Sequence, residues 1–497
     1  MSAYQELESV FAQAAYVGDV LGILGWDTET MMPPGAIEGR SEQLATLEAL
    51  SHELLTTERI GELLAAAREE TGLSDWQQAN LREMERTRTR AVAVPKDLLV
   101  ASTKASAVCR HAWQSARKAN DFAAVKNHLA EVVRLQREIG AALGDALGLG
   151  AYDALLDQFD VGSKRELLER LFAPVRDVLP TLIQDAVAYQ KQMPRALPLD
   201  GPFPIAVQEQ LCRTLLTAIG FDFDHGRMDV SAHPFTGGSY GDVRVTTRFD
   251  EADFLPALMA TVHEGGHALY EQGRPKRWNA QPVGKARGTS MHESQALIIE
   301  RQAARSDAFL TYLAPLVGEA FGGTGPAWSA ENLRRIALEV EPGFIRVDAD
   351  EVTYPAHVLL RYELEKALIS GDLDVDDLPG AFRDEVKRFL GLDVPDERRG
   401  CLQDIHWYAG AFGYFPTYLV GAMTAAQLFD AAKSDRPNLE PALERGDFRP
   451  LVEWLRERIH SRASSADWGE LVAAATGREA NSDSFLRYLN RRYLGAA

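Results

Sequence analysis

Residues 242–270 read DVRVTTRFDEADFLPALMATVHEGGHALY. Up to Phe249 the side chains alternate, with Val243, Val245, Thr247 and Phe249 set between polar neighbours, the two-residue period of a half-buried strand. The pattern differs from its surroundings between about residues 226 and 250, and beyond it a helical period resumes and runs to the C-terminus. A small sheet embedded in a large helical body is the expected architecture.

Upstream, the first ~220 residues are dominated by Ala, Leu, Glu and Arg, with apolar residues three and four apart, as at Leu155, Leu156 and Phe159 and at Leu167, Leu168 and Leu171. That spacing predicts a succession of helices. Met32-Pro-Pro-Gly35 and the proline-rich run from Pro194 to Pro204 mark loops. No low-complexity tract or fixed-period repeat divides the chain, so residues 1–497 are read as one domain: a helical part to about 225, a strand-containing and metal-binding part over about 226–310, and a helical part over about 311–497.

The chain carries 53 Lys and Arg against 72 Asp and Glu, a net charge of -19, which disfavours the phosphate backbone of nucleic acid as a partner. Its three cysteines, Cys109, Cys212 and Cys401, are far apart and odd in number, which fits packing residues in a reducing, cytoplasmic protein. The N-terminus shows acids where a secretory leader carries bases. Residues 407–429 hold no charge and are long enough to span a bilayer. They also contain Pro416, Gln427 and several Gly, Thr and Tyr, so a buried element lining a cleft is expected there, and no membrane partner.

His263 and His267 stand one helical turn apart in H-E-x-x-H, so both imidazoles can reach one ion while Glu264 addresses a bound water. Gly265 and Gly266 each cost a helix about 1 kcal/mol relative to Ala, which points to a close approach by substrate or by neighbouring backbone. A catalytic metal needs a third protein ligand. Position 273, where a third histidine would complete a longer motif, is Gly273, and Glu271 lies about 12 Å along the helix from His263. Glu293, 26 residues after His267 on a segment that reads as a second helix starting near Thr289 or Ser290, is the next candidate; a solvated face residue is the alternative.

Several ordered motifs extend this pattern over nearly the whole chain. They are His233-Pro-Phe235, Asp242-Val-Arg244-Val-Thr246, the H-E-x-x-H, His292-Glu-Ser-Gln295, Ile345-Arg346-Val-Asp-Ala-Asp350 and Gly400-Cys-Leu-Gln403-Asp404-Ile-His406-Trp407, with Trp26-Asp27 through Gly35 near the N-terminus. Together they resemble the carboxypeptidase Taq family of metallocarboxypeptidases. The resemblance implies a mostly α, cleft-bearing fold related to neurolysin-like peptidases, usually a homodimer, that uses zinc or cobalt to remove C-terminal residues from peptides with a free C-terminal carboxylate.

On that basis His263, His267 and Glu293 are the expected metal ligands and Glu264 the general base. His406, Tyr418 and Tyr414 are candidates to stabilise the oxyanion, with ordinary core packing as the alternative. A terminal carboxylate in an acidic protein needs a local cation, and the planar fork of arginine suits it; Arg346 and Arg244 are the candidates, Arg346 being held by Asp348 or Asp350. His233 and Gln403 are expected at the pocket wall or in packing. An endopeptidase or dipeptidyl-cleaving enzyme with the same triad, and a non-catalytic metal-stabilised binding protein, are the competing functions; the second leaves Glu264 without a task.

Overall fold

A computed structural model describes residues 1–495. Helices fill the first 220 residues, and the loop signals fall where they end. The helix Ala3–Thr30 stops just before Pro33-Pro34, and the chain between the helices Arg165–Gln190 and Ile205–Ile219 is the proline-rich run. Among the described residues one helix, Ala3–Thr30, is long and apolar enough to cross a membrane. Its Tyr4, Leu7 and Phe11 are buried with Ile60, Leu63 and Leu64 of the helix Glu58–Arg68 in a small core of their own.

The sheet has three strands: β1 (Gly226–Val230), β2 (Thr236–Ser239) and β3 (Asp242–Thr247), in the order β1-β3-β2. β3 is central, parallel to β1 with Val245 opposite Met228, and antiparallel to β2 with Val245 opposite Thr236. Val243, Val245 and Thr247 are buried, as the alternation predicts, but Thr246 is buried as well, and Phe249 lies beyond the strand end. Thr247 faces the helix Leu255–Gly273, its hydroxyl donating to Ala257 O at 3.2 Å, whereas Thr246 is covered by the segment before β2, accepting from Phe235 N at 2.9 Å and lying 2.7 Å from Ser231 Oγ.

Two large apolar cores flank the middle of the molecule, and one helix, Pro416–Asp435, contributes to both. Leu419, Val420, Met423 and Ala426 enter one core, while Ala425, Leu428, Phe429 and Ala432 enter the other. A helix buried on opposite faces has no solvent side on which to carry charge. This accounts for the uncharged stretch at 407–429, which forms the turn Trp407–Ala409 and most of this helix.

Candidate metal centre and active-site cleft

The helix that carries the H-E-x-x-H is delimited locally. Asp253 accepts a hydrogen bond from Leu255 N at 3.0 Å, Pro256 occupies the first turn, where its missing N–H has no helical partner to lose, and Pro275 comes directly after the C-cap residue Arg274. The second helix, Gly288–Leu297, is different. Neither Thr289 nor Ser290 caps it; its cap position is Arg287, which provides no side-chain cap. Asp160 supplies that function from 130 residues away, accepting from Ser290 N at 2.8 Å and from the Ser290 hydroxyl.

Glycines bring the three central helices into contact. A Cβ on Gly266 would stand 2.6 Å from Ala296 Cα and from Gln295 O, so the first helix meets the second backbone to backbone. One on Gly265 would strike Ile219 at 2.4 Å, and one on Gly421 would stand 2.8 Å from Glu293 Cγ. The glycines in the motif thus answer to neighbouring protein, and their helix-propensity cost of about 1 kcal/mol each is offset by packing.

This stacking places His263, His267 and Glu293 together on the wall of a cleft of about 830 Å³, each offering a ligand atom within 4.8 Å of the others. His267 Nε2 lies 3.7 Å from Glu293 Oε2. The donor set suits a divalent ion: two imidazole nitrogens and one carboxylate, with Glu264 beside them. Its electrostatics agree. Burial raises the Glu293 carboxyl, and the Glu264 and Glu300 carboxylates raise it further, against the opposing pull of His263 and His292. Burial works against charge on His263, but the hydrogen bond to Glu300 and the carboxylates of Glu293 and Glu264 outweigh it and push the ring up to about 9. The carboxylates thus favour positive charge at His263, whereas burial, with the facing rings of His292 and His263, pushes His267 well down.

Both histidines of the cluster are braced from behind. His263 Nδ1 meets Glu300 Oε2 at 3.1 Å, and Glu300 is in turn paired with Arg301 and Arg305 at 3.0 and 2.9 Å. His267 Nδ1 meets His292 Nδ1 at 2.6 Å, and His292 Nε2 meets Glu271 Oε1 at 2.9 Å. Glu271 is held ionised: burial opposes the charge, but Arg274, 2.7 Å away, and His292 bring its pKa down to about 2.

Sequence reasoning assigned no role to Glu300 or Glu271 and gave His292 none beyond its place in the motif His292-Glu-Ser-Gln295. Glu300 sits seven residues after Glu293, on the π-helical turn Ile298–Ala304 that continues the second helix, and this spacing was the available signal. Thr236, next to the His-Pro-Phe motif, was also missed; its Oγ1 lies 2.7 Å from Glu264 Oε2.

The remaining candidates divide into those that line the cleft and those that stand behind it. Tyr414, Tyr418 and Arg346 line it, joined by Tyr354. Burial raises both tyrosine hydroxyls, so Tyr414 and Tyr418 remain protonated donors at neutral pH. His406 is behind them, its ring 5.5 Å from that of Tyr414, and burial brings its pKa down to about 4 with help from Arg346 and Arg361, against Asp404. It is a neutral support for the tyrosine wall.

Arg346 is held by Asp404, through Nε at 3.1 Å and Nη2 at 2.9 Å, and by the Tyr354 hydroxyl at 2.9 Å from Nη1. The expected partners are elsewhere: Asp348 is exposed, and Asp350 accepts from Val352 N and Thr353 N. Gln403 lies under the same turn, accepting from Arg346 N at 2.9 Å and donating to Phe344 O at 3.0 Å, and it does not line the cleft. Arg244 pairs with Asp242 at 2.6 Å and stacks 4.4 Å over the Trp26 ring, also away from the cleft lining. His233 is exposed in the turn before β2, whereas its neighbours Pro234 and Phe235 do line the cleft.

The family model for carboxypeptidase Taq (M32) metallopeptidases matches residues 6–493. Thermostable carboxypeptidase 1 of Thermus thermophilus is 37% identical over 504 residues, covering 99% of this chain and 98% of its own. Carboxypeptidase 1 of Bacillus subtilis is 32% identical over 495 residues, covering 98% and 97%. Among solved structures, Trypanosoma cruzi metallocarboxypeptidase 1 superimposes with a TM-score of 0.97 at 39% identity, over 99% of both chains. The M32 carboxypeptidase from Deinococcus radiodurans R1 does so with a TM-score of 0.93 at 32% identity, over 99% and 98%.

Proposed function

The chain belongs to the carboxypeptidase Taq (M32) metallopeptidase family and is a metallocarboxypeptidase acting on the C-terminal bond of peptides, and from this premise we propose the roles of its residues. His263, His267 and Glu293 hold one divalent ion, zinc or else cobalt, and the observation that carries this is the convergence of their three ligand atoms within 4.8 Å on the cleft wall. When bound, such an ion supplies Lewis-acid polarisation of a water and of the scissile carbonyl. Glu264 takes the proton of the attacking water and returns it to the leaving amine. The hydroxyls of Tyr418 and Tyr414 donate to the oxygen on which negative charge develops.

Arg346 receives the substrate's terminal carboxylate. Asp404 and Tyr354 take three of its N–H groups, and the two that remain of the guanidinium's five match the two oxygens of a carboxylate. Arg244, Gln403, His233 and His406 support the walls from outside the cleft. The test is digestion of one unblocked peptide with and without chelator, followed by mass spectrometry. A ladder shortening from the C-terminus, abolished by chelator and restored by zinc, is expected; internal cuts or a chelator-insensitive ladder would overturn the assignment.

We further read residues 1–497 as one domain, since the helix Pro416–Asp435 serves both cores. The chain is proposed to act in the cytoplasm, in keeping with three free cysteines, and as a homodimer, on the family resemblance. Sedimentation at micromolar concentration tests the dimer, and a monomer there would remove it.

A further inference from the structure

Thr236 opens β2, where its backbone pairs with Val245, and its side chain crosses to the helix Leu255–Gly273. Its hydroxyl oxygen lies 2.7 Å from Glu264 Oε2 and 2.9 Å from Glu264 O. One side chain therefore reaches both the carboxylate and the backbone of the residue between the two histidine ligands. Glu264 is 7% exposed, and among the described residues Thr236 is the hydrogen-bond partner of its carboxylate, so Oε1 is left for the cleft that both residues line.

The two partners differ in stiffness. A β-branched side chain on a hydrogen-bonded strand is restricted at χ1, whereas a glutamate turns about three side-chain bonds. A carboxylate also binds a hydroxyl more strongly than a neutral acceptor does. The hydroxyl is thus the fixed point and the carboxylate the group that is fixed.

We propose that Thr236 is a positioning residue for Glu264, holding Oε2 so that Oε1 faces the reacting water; this rests on the reading of Glu264 as general base. A base displaced by about 1 Å from its productive position loses on the order of 10²-fold in rate, which sets the scale of what one such contact can contribute.

The experiment compares Thr236→Val, Thr236→Ser, Glu264→Gln and the Thr236→Val/Glu264→Gln double variant, each loaded with zinc, on one peptide with a free C-terminus. Thr236→Val is expected to lower kcat by about 10-fold or more, with KM and bound zinc nearly unchanged, and Thr236→Ser to recover most of the loss. In the Glu264→Gln background the Val substitution should lower the residual rate no further, because no base is left there for the hydroxyl to position. Thr236→Val with wild-type kcat beside an inactive Glu264→Gln would overturn the inference alone. Equal losses in the Val and Ser variants together with a lower Tm would assign Thr236 to strand packing. Full turnover by Glu264→Gln would remove the underlying reading instead. Should the Val variant not fold, Thr236→Ala is compared with the Ser variant by the same criteria.

Discussion

His267 and His292 face one another through their Nδ1 atoms, 2.6 Å apart. Two such nitrogens share one proton, and the surroundings decide which ring carries it. Ionised Glu271 accepts at 2.9 Å from His292 Nε2–H, so a neutral His292 has its lone pair at Nδ1. His267 therefore donates from Nδ1 and presents the lone pair of Nε2 to the side on which Glu293 lies. Replacing His292 with Ala should weaken zinc binding by about 10- to 100-fold while leaving the fold intact. Competition with a chromogenic chelator measures this, and unchanged zinc affinity would show that the contact does not orient the ligand.

Gly421 sets the position of Glu293 from the opposite side. A methyl group there would lie 2.8 Å from Glu293 Cγ, 2.9 Å from its Cβ and 3.2 Å from Ser290 O. Gly421→Ala should displace the ligand and lower zinc affinity by about tenfold or more, in line with the 1–3 kcal/mol that overpacking typically costs. Gly469→Ala, with open space around it, is the control and should change neither zinc content nor Tm appreciably. Normal zinc affinity in the Gly421 variant would mean that the helices separate without moving Glu293.

The buried pairing of Arg346 with Asp404 governs how its role can be tested. Truncation to Ala would remove a buried cation and leave Asp404 with Arg361 alone, mixing stability with binding. Lysine keeps a charge near Asp404 and loses the fork. Arg346→Lys should therefore retain zinc and structure while kcat/KM for free-carboxylate peptides falls by about 10²-fold. Preference over the C-terminally amidated peptide should shrink in parallel; if it persists undiminished, Arg346 does not read the terminus.

Two buried histidines outside the proposed metal triad predict the response to acid. Burial, aided by Arg361, brings His357 down to about 3, and burial, aided by Arg456, does the same for His460. The unfolded chain binds a proton at each near pH 6.5, whereas the folded chain does not, so the stability they contribute is present above that pH and is lost as pH falls toward 3. Each should contribute up to about 1.4 kcal/mol per pH unit within that window. Urea unfolding at pH 6 and pH 4.5, within that window, measures the slope, and His357→Leu should reduce it by about one proton. An unchanged slope in that variant would refute the assignment.

What the sequence determined by itself was local. The two-residue alternation of Val243 and Val245, the helical spacing of the first 220 residues and the four-residue interval between His263 and His267 are each set by backbone geometry within a few residues, and they kept their meaning in the fold. The ordered motifs carried the family, because several short matches in sequence order specify far more than any one of them. Composition could mark the uncharged stretch at 407–429 as buried, but not that it runs between two cores.

Tertiary structure decided which distant groups share a site. Asp160 rather than Ser290 caps the second helix, Asp404 rather than Asp348 or Asp350 holds Arg346, and Thr236, Glu300, His292 and Glu271 surround the cluster of His263, His267, Glu264 and Glu293 from three separate segments. His406 and Gln403 belong to one motif with Asp404, yet they face the protein behind the cleft wall. A motif records that residues are kept near one another along the chain, whereas a hydrogen bond requires atoms about 3 Å apart in space. Between residues 160 and 290, or 346 and 404, that distance is set by how the helices pack.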